Sequence, residues 1–126
     1  MIYGIGVDLV SITRIEQVIK KWEGRFVDRV FTLQESKKCY GKAFPYPAFA
    51  LRFAAKEAFA KAIGTGFRDG LKWQDIEVIN DSNGKPNLQL HGKANQICTE
   101  NDIVMAHISL SDDGKYGIGM VVLEKP

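Results

Sequence analysis

The run Phe49–Ile63 (FALRFAAKEAFAKAI) constrains this chain more than any other stretch. It holds no glycine or proline and is rich in Ala, Lys and Glu, so it reads as a helix. Pro47 stands just ahead of it and Gly64 just after, the expected start and stop signals. At about 100° per residue its apolar side chains fall almost all the way round, the pattern of a buried helix. Yet it carries Arg52, Lys56, Glu57 and Lys61. Arg52 and Lys56 share one seam of the helix wheel, Glu57 and Lys61 another. Charges on a buried helix need partners, because stranding one costs several kcal/mol. Two readings fit. Glu57 and Lys61 form an internal i,i+4 pair worth roughly 0.2–0.5 kcal/mol, or Glu57 holds a metal while the cations hold phosphates.

The rest of the composition narrows the field. A chain of 126 residues is expected to form a single domain, residues 1–126, with a core that buries roughly two-thirds of its unfolded surface. At 45% hydrophobic and 25% charged it is neither disordered nor of low complexity. No apolar run approaches the roughly 20 residues of a membrane span, and the N-terminus lacks a signal-peptide plan. The expected location is the cytoplasm, with no membrane partner. Cys39 and Cys98 are read as reduced thiols. A net charge of +2 predicts no nucleic-acid binding, so charge recognition has to come from a local patch.

Ile2–Val10 reads as a strand on which Ile5, Val7 and Leu9 share a core face and Gly4, Gly6 and Asp8 share the other. Glycines beside an acid leave room for a ligand to approach. Thr13 and Glu16 have capping-box spacing, opening a helix that ends near Glu23 and Gly24. Its apolar stripe is Ile15, Val18, Ile19 and Trp22. Beside that stripe Arg14, Val18, Lys21 and Arg25 form a basic ridge with one apolar member, suited to an acidic amphipathic helix of a partner, though also to a solvated face. A short helix is expected over 31–40, capped near Thr32. Gly64–Phe67 is a small-residue turn whose amides fit a phosphate, although a glycine C-cap accounts for Gly64 alone. Hairpins follow at 76–90 and 103–123, with a short helix over 93–98 between them.

Two isolated acids remain, Asp8 and Glu57. They are too few for a calcium cage but suit Mg2+, which keeps waters and takes further ligands from substrate phosphates. Arg52, Lys56 and Lys61 on the same helix fit those phosphates. The residues alone therefore point to chemistry on a diphosphate-containing substrate.

At motif level the chain resembles the holo-acyl-carrier-protein synthases, small bacterial phosphopantetheinyl transferases. The resemblance is carried by Gly4–Ile5–Gly6–Val7–Asp8–Leu9, by Arg52–Ala62, by Gly84–Lys85–Pro86 and by His107–Asp113, in that order along nearly the whole chain. It implies transfer of the phosphopantetheine arm of coenzyme A to a serine of an apo-acyl carrier protein, releasing adenosine bisphosphate, in fatty acid biosynthesis. It implies Asp8 and Glu57 as magnesium ligands and Lys61 as the residue that neutralises charge on the leaving side. Arg52, Lys56, Gly64, Lys85, Pro86 and His107 become coenzyme A contacts. Arg14, Val18, Lys21, Trp22 and Arg25 become the carrier-protein dock. It also implies a homotrimer with active sites at subunit boundaries. Asp112 departs from the histidine that many relatives carry after the Ser–Leu–Ser run. The expected fold is α+β, one antiparallel sheet from the first strand and both hairpins, packed on the central helix. Two other readings use the same acids. A nucleotide hydrolase is disfavoured by the basic ridge, and a non-catalytic coenzyme A sensor by the Asp8/Glu57 pair.

Overall fold

The computed structural model describes residues 1–126 and is organised around one helix, α4 (Tyr46–Ile63). The elements run β1 (Ile2–Ser11), α1 (Ile12–Trp22), α2 (Gly24–Val30), α3 (Leu33–Tyr40), α4, a 3-10 turn at Trp73–Asp75, β2 (Ile76–Asn80), β3 (Pro86–Leu90), α5 (Gly92–Glu100), β4 (Met105–Asp112) and β5 (Tyr116–Glu124). The α+β class is as expected, but the single sheet is not. β1, β5 and β4 form one antiparallel sheet in the order β1-β5-β4, and β2 and β3 form a separate hairpin. Helix α4 begins earlier than its apolar run, with Pro45 as N-cap and Pro47 inside the first turn, where a missing N–H costs nothing. It ends on Gly64, whose φ of 85° closes the last turn.

The sheet meets α4 at backbone distance. A Cβ built on Gly6 would lie 1.8 Å from the Ala58 carbonyl oxygen, and one on Gly4 would lie 1.9 Å from that of Ala62. On β5, a Cβ at Gly119 would lie 2.8 Å from the Ala54 carbonyl carbon. Ala54, Ala58 and Ala62 form a ridge along α4 at i, i+4, i+8, and the three glycines are the groove that receives it. This corrects the expected faces of β1. The glycine face is the inward one, filled by helix rather than open to a ligand, while Ile5, Val7 and Leu9 are 57%, 49% and 66% exposed. They share the outer face of the sheet with Ile118 and Met120 of β5, which are also exposed.

On the far side of the sheet–helix layer, α1, α2 and α3 close a core of Ile12, Ile15, Ile19, Val27, Val30, Phe31 and Phe49. A second core of Phe59, Ile63, Leu71, Ile76, Val121 and Leu123 reaches toward α5 and the hairpin. The first helix is capped by Ser11, whose hydroxyl accepts from the Arg14 amide, not by the Thr13/Glu16 box; Glu16 pairs instead with Lys20 at 2.7 Å. The chain breaks at Glu23, φ 50°, and α2 starts at Gly24. Arg25 therefore sits on α2 and leaves the ridge that an unbroken helix would have given it. The Thr32 cap of α3 is present as a full capping box with Glu35.

Candidate active site

Asp8 follows Gly4 and Gly6 on the inward face of β1, and the next polar turn of α4 presents Glu57 and Lys61. The Lys61 ammonium donates to the Asp8 carboxylate at 3.1 Å and to the Val7 carbonyl at 2.9 Å. The i,i+4 pairing of Lys61 with Glu57 is thus replaced by a strand–helix tie. The Glu57 carboxyl is pushed above its ordinary range, first by burial and then by the negative charge of Asp8, with Lys61 opposing both. Asp8 and Glu57 line one cavity of about 380 Å3 together with Ser11, Arg14, Ile15, Val18, Phe26 and Phe53. The two acids sit at the same mouth as two members of the basic ridge, Arg14 and Val18. Lys21 and Trp22 lie further along α1, both exposed, with the Lys21 ammonium 5.3 Å from the Trp22 ring centre.

Phe26 and Phe53 are cavity walls the sequence did not single out. Their rings are 6.0 Å apart, and Phe53 stacks on Trp73 at 5.1 Å. The sequence ended the first helix near Glu23 and Gly24 but gave no sign of α2, which carries Phe26 to the cavity.

The remaining cations of α4 have different surroundings. Lys56 is corrected from a phosphate contact to an interior residue. Its side chain is 0% exposed, and its ammonium donates to Glu35 Oε1 at 2.8 Å, to the Trp73 carbonyl at 3.1 Å and to the Ile76 carbonyl. All three donors are spent inside the protein. Burial pulls its pKa down while Glu35 holds it up. Arg52 is buried too, donating from Nη1 to the Ala48 carbonyl at 3.1 Å and from Nη2 to Asn80 Oδ1 at 2.9 Å, but its Nε has no partner. Leaving such a donor unpaired costs about 1–3 kcal/mol.

Arg52 lines a second cavity of about 610 Å3 with Lys42, Asn80, Gly84 and Pro86. The Gly84–Lys85–Pro86 segment is the turn between β2 and β3, and Lys85 is exposed. Gly64 is exposed at the C-cap of α4. His107 lies on the outer face of β4, opposite Val122, and shares a 2.9 Å hydrogen bond with Glu124. Within one chain, then, Asp8, Glu57 and Lys61 converge with Arg14 and Val18. Arg52 and Pro86 line the second cavity, and His107 belongs to neither.

The match to known proteins follows the same motifs. The family model of the 4'-phosphopantetheinyl transferase superfamily matches residues 4–116. The chain belongs to that superfamily. It is 50% identical to the holo-[acyl-carrier-protein] synthase of Geobacter metallireducens over 125 residues, 99% of each chain. The crystal structure of holo-[acyl-carrier-protein] synthase from Neisseria meningitidis superposes with a TM-score of 0.91 at 40% identity, covering 99% of this chain and 100% of that one. The Bacillus anthracis enzyme, solved in complex with CoA (3',5'-ADP), superposes with a TM-score of 0.83 at 35% identity, covering 100% and 99%. The two solved relatives thus share the fold of this chain over nearly its whole length.

Proposed function

We propose that this protein is a holo-[acyl-carrier-protein] synthase. It transfers the phosphopantetheine arm of coenzyme A to a serine hydroxyl of apo-acyl carrier protein, as one domain over residues 1–126 and within fatty acid biosynthesis. The observation that carries the reading is the convergence of Asp8 and Glu57 in a cavity that Arg14 and Val18 also line, with Lys61 bonded to Asp8 beside it. Chemistry and partner docking then share one opening.

The donor set fits a divalent cation. Two carboxylates face one cavity, and the charge of Asp8 raises the proton affinity of Glu57, a repulsion that a cation between them relieves. No third His, Cys, Asp or Glu joins them, as expected where substrate phosphates complete the shell. Asp8 and Glu57 would hold Mg2+, which supplies charge neutralisation at the pyrophosphate of coenzyme A.

In the transfer the serine hydroxyl gives its proton to a site carboxylate or a water held there as its oxygen bonds to the β-phosphorus, the bond to the bridging oxygen breaks, and adenosine 3',5'-bisphosphate leaves. Lys61, bonded to Asp8 beside the cavity, would stabilise negative charge on that side, the electrostatic contribution that dominates phosphoryl-type transfer. Arg52 and Lys42, which both line the second cavity, suit a phosphate of the donor there. Arg14, Val18, Lys21 and Trp22 form the docking face for an acidic carrier helix, with Arg25 beside it on α2. The coenzyme A complex of the Bacillus anthracis relative supports the choice of donor.

The outer sheet face supports a homotrimer with active sites at subunit interfaces. Ile5, Val7, Leu9, Ile118 and Met120 are contiguous through the β1–β5 register and exposed. An apolar face of that kind marks an interaction surface. His107 and the Gly84–Lys85–Pro86 turn, which do not line the cavity of the two acids, would meet a neighbour's site across the interface. The free, buried thiols Cys39 and Cys98 fit a cytoplasmic enzyme, and no helix is long and apolar enough to cross a membrane.

The test is intact-mass spectrometry of apo-acyl carrier protein incubated with this protein, coenzyme A and Mg2+. The expected result is a gain of one phosphopantetheine, absent with Asp8→Ala. Coenzyme A bound without any mass gain overturns the transferase in favour of a sensor.

A further inference from the structure

We infer that the sealed Lys56–Glu35 pair is a positioning device for the site: it sets the rotation of α4 that aims Glu57 at Asp8. The inference rests on the reading of Asp8 and Glu57 as the metal-holding pair.

On its sheet side α4 packs mainly through small residues: Ala54, Ala58 and Ala62 meet Gly119, Gly6 and Gly4, with Leu51 over Gly117 at one end and the half-exposed Lys61–Asp8 tie as the one polar contact there. Lys56 and Glu57 are neighbours in sequence, so they leave the helix about 100° apart. Whatever holds Lys56 therefore fixes the bearing of Glu57. Lys56 is held at three points that come from three places: Glu35 of α3, the Trp73 carbonyl of the 3-10 turn and the Ile76 carbonyl of β2. Glu35 is itself saturated. Its Oε1 also accepts from the Thr32 amide at 3.0 Å, and its Oε2 accepts from the Val78 amide at 2.9 Å. Both side chains are 0% exposed.

Stability does not explain the arrangement. A buried ion pair is a poor stabiliser, and well-packed apolar replacements are often as stable or more so. Directional bonds to three separate elements give instead what an apolar contact cannot, a fixed azimuth for the residue next to them. Misplacement of a reacting group by about 1 Å can cost on the order of a hundredfold in rate. Partners standing behind metal ligands affect metal affinity or activity by about 10–100-fold.

The experiment uses the full chain with both charges removed, Lys56→Met with Glu35→Gln. The glutamine keeps a carbonyl for the Val78 amide. Three quantities are read: melting temperature, Mn2+ affinity of the protein alone by electron paramagnetic resonance, and kcat and KM for carrier modification. The expected result is a folded protein with Mn2+ affinity lowered about tenfold and kcat lowered roughly 10–100-fold. KM for the carrier should stay within about twofold, since the docking helix is untouched. A folded variant with wild-type Mn2+ affinity and kcat overturns the inference. If the double variant does not fold, Glu35→Gln alone is measured with the same expected directions; failure of both to fold makes the pair a stability element and also overturns it. The wild type run alongside separates the two claims. No carrier modification by the wild type sinks the transferase reading, whereas the Mn2+ comparison judges the positioning role on its own.

Discussion

Lys61 reaches across from α4 to hydrogen-bond the Asp8 carboxylate at 3.1 Å, tying the fourth helix to the first strand at the point where the two acids meet. The tie is half exposed, so as a surface pair it contributes on the order of 0.2–1 kcal/mol. Its value lies in where it holds a positive charge. Lys61→Ala should therefore leave the melting temperature nearly unchanged while lowering kcat for carrier modification by about 10²-fold or more. Wild-type kcat in this variant removes Lys61 from the chemistry.

Glu57→Gln should separate folding from function. The raised pKa of Glu57 means the native state binds its proton more tightly than the unfolded chain does. Stability from this group is thus fully present at pH below its unfolded value and is lost as pH rises through the folded one. Without metal at neutral pH, the carboxylate is a burden and the amide relieves it. The metal-free variant should melt at or above the wild type at pH 7, the gap closing as pH falls toward 4.5, while Mg2+-dependent carrier modification is abolished. Calorimetry without metal at several pH values checks the first half. A lower melting temperature at pH 7 contradicts it.

Gly6→Ala should be severe for a steric reason. The added methyl would sit 1.8 Å from the Ala58 carbonyl oxygen, and backbone cannot step aside as a flexible side chain can. Overpacking of this kind costs roughly 1–3 kcal/mol or more. Gly84→Ala is the control. Nothing lies within 4 Å of its Cβ, so its φ of 83° alone should cost about 1–2 kcal/mol. Chemical denaturation of both variants reads the difference; equal losses refute the close contact.

Arg14→Glu should raise KM for the carrier protein about tenfold and flatten its salt dependence, while coenzyme A affinity stays within about twofold. Arg14 is exposed on the rim of the cavity and bonds neither acid. Equal loss of both affinities would place Arg14 in the donor site instead.

Met120→Lys places a charge in the centre of the outer sheet face, opposite Val7. The variant should fold and lose its assembly, read as a fall to monomer mass by light scattering. An unchanged oligomeric mass assigns the apolar face to something other than self-association.

Much of this was legible in the residues. Helix α4 announced itself because a run of Ala, Lys and Glu without Gly or Pro has few other options. Asp8 was found as an acid beside two glycines on a strand and Glu57 as an acid on a buried helix. Other features left no local trace. Period-two alternation says which residues of β1 share a face, but an apolar outer face at Ile5, Val7 and Leu9 imitates a core, and the inward face was misjudged. The end of α1 near Glu23 and Gly24 was legible, but nothing marked the residues after it as a second helix, so Arg25 was left on the α1 ridge and Phe26 went unnoticed. Nothing in 76–90 specifies that its hairpin pairs only with itself. Lys56 was read by its charge, although its partners, Glu35 and two carbonyls, are brought to it only by the folded chain.

The glycine groove under α4 has a consequence for how such a protein can change. Where Gly4, Gly6 and Gly119 touch the alanine ridge, the contact is main chain against main chain. There is no side chain there to enlarge, shrink or recharge. Sequence drift can remodel the walls of the cavity, at Val18, Phe26 or Phe53, and the rim at Arg14, and so shift which carriers are accepted. The floor on which Asp8 and Glu57 are mounted has no such adjustable part, so new specificities must be built around it while its spacing is inherited intact.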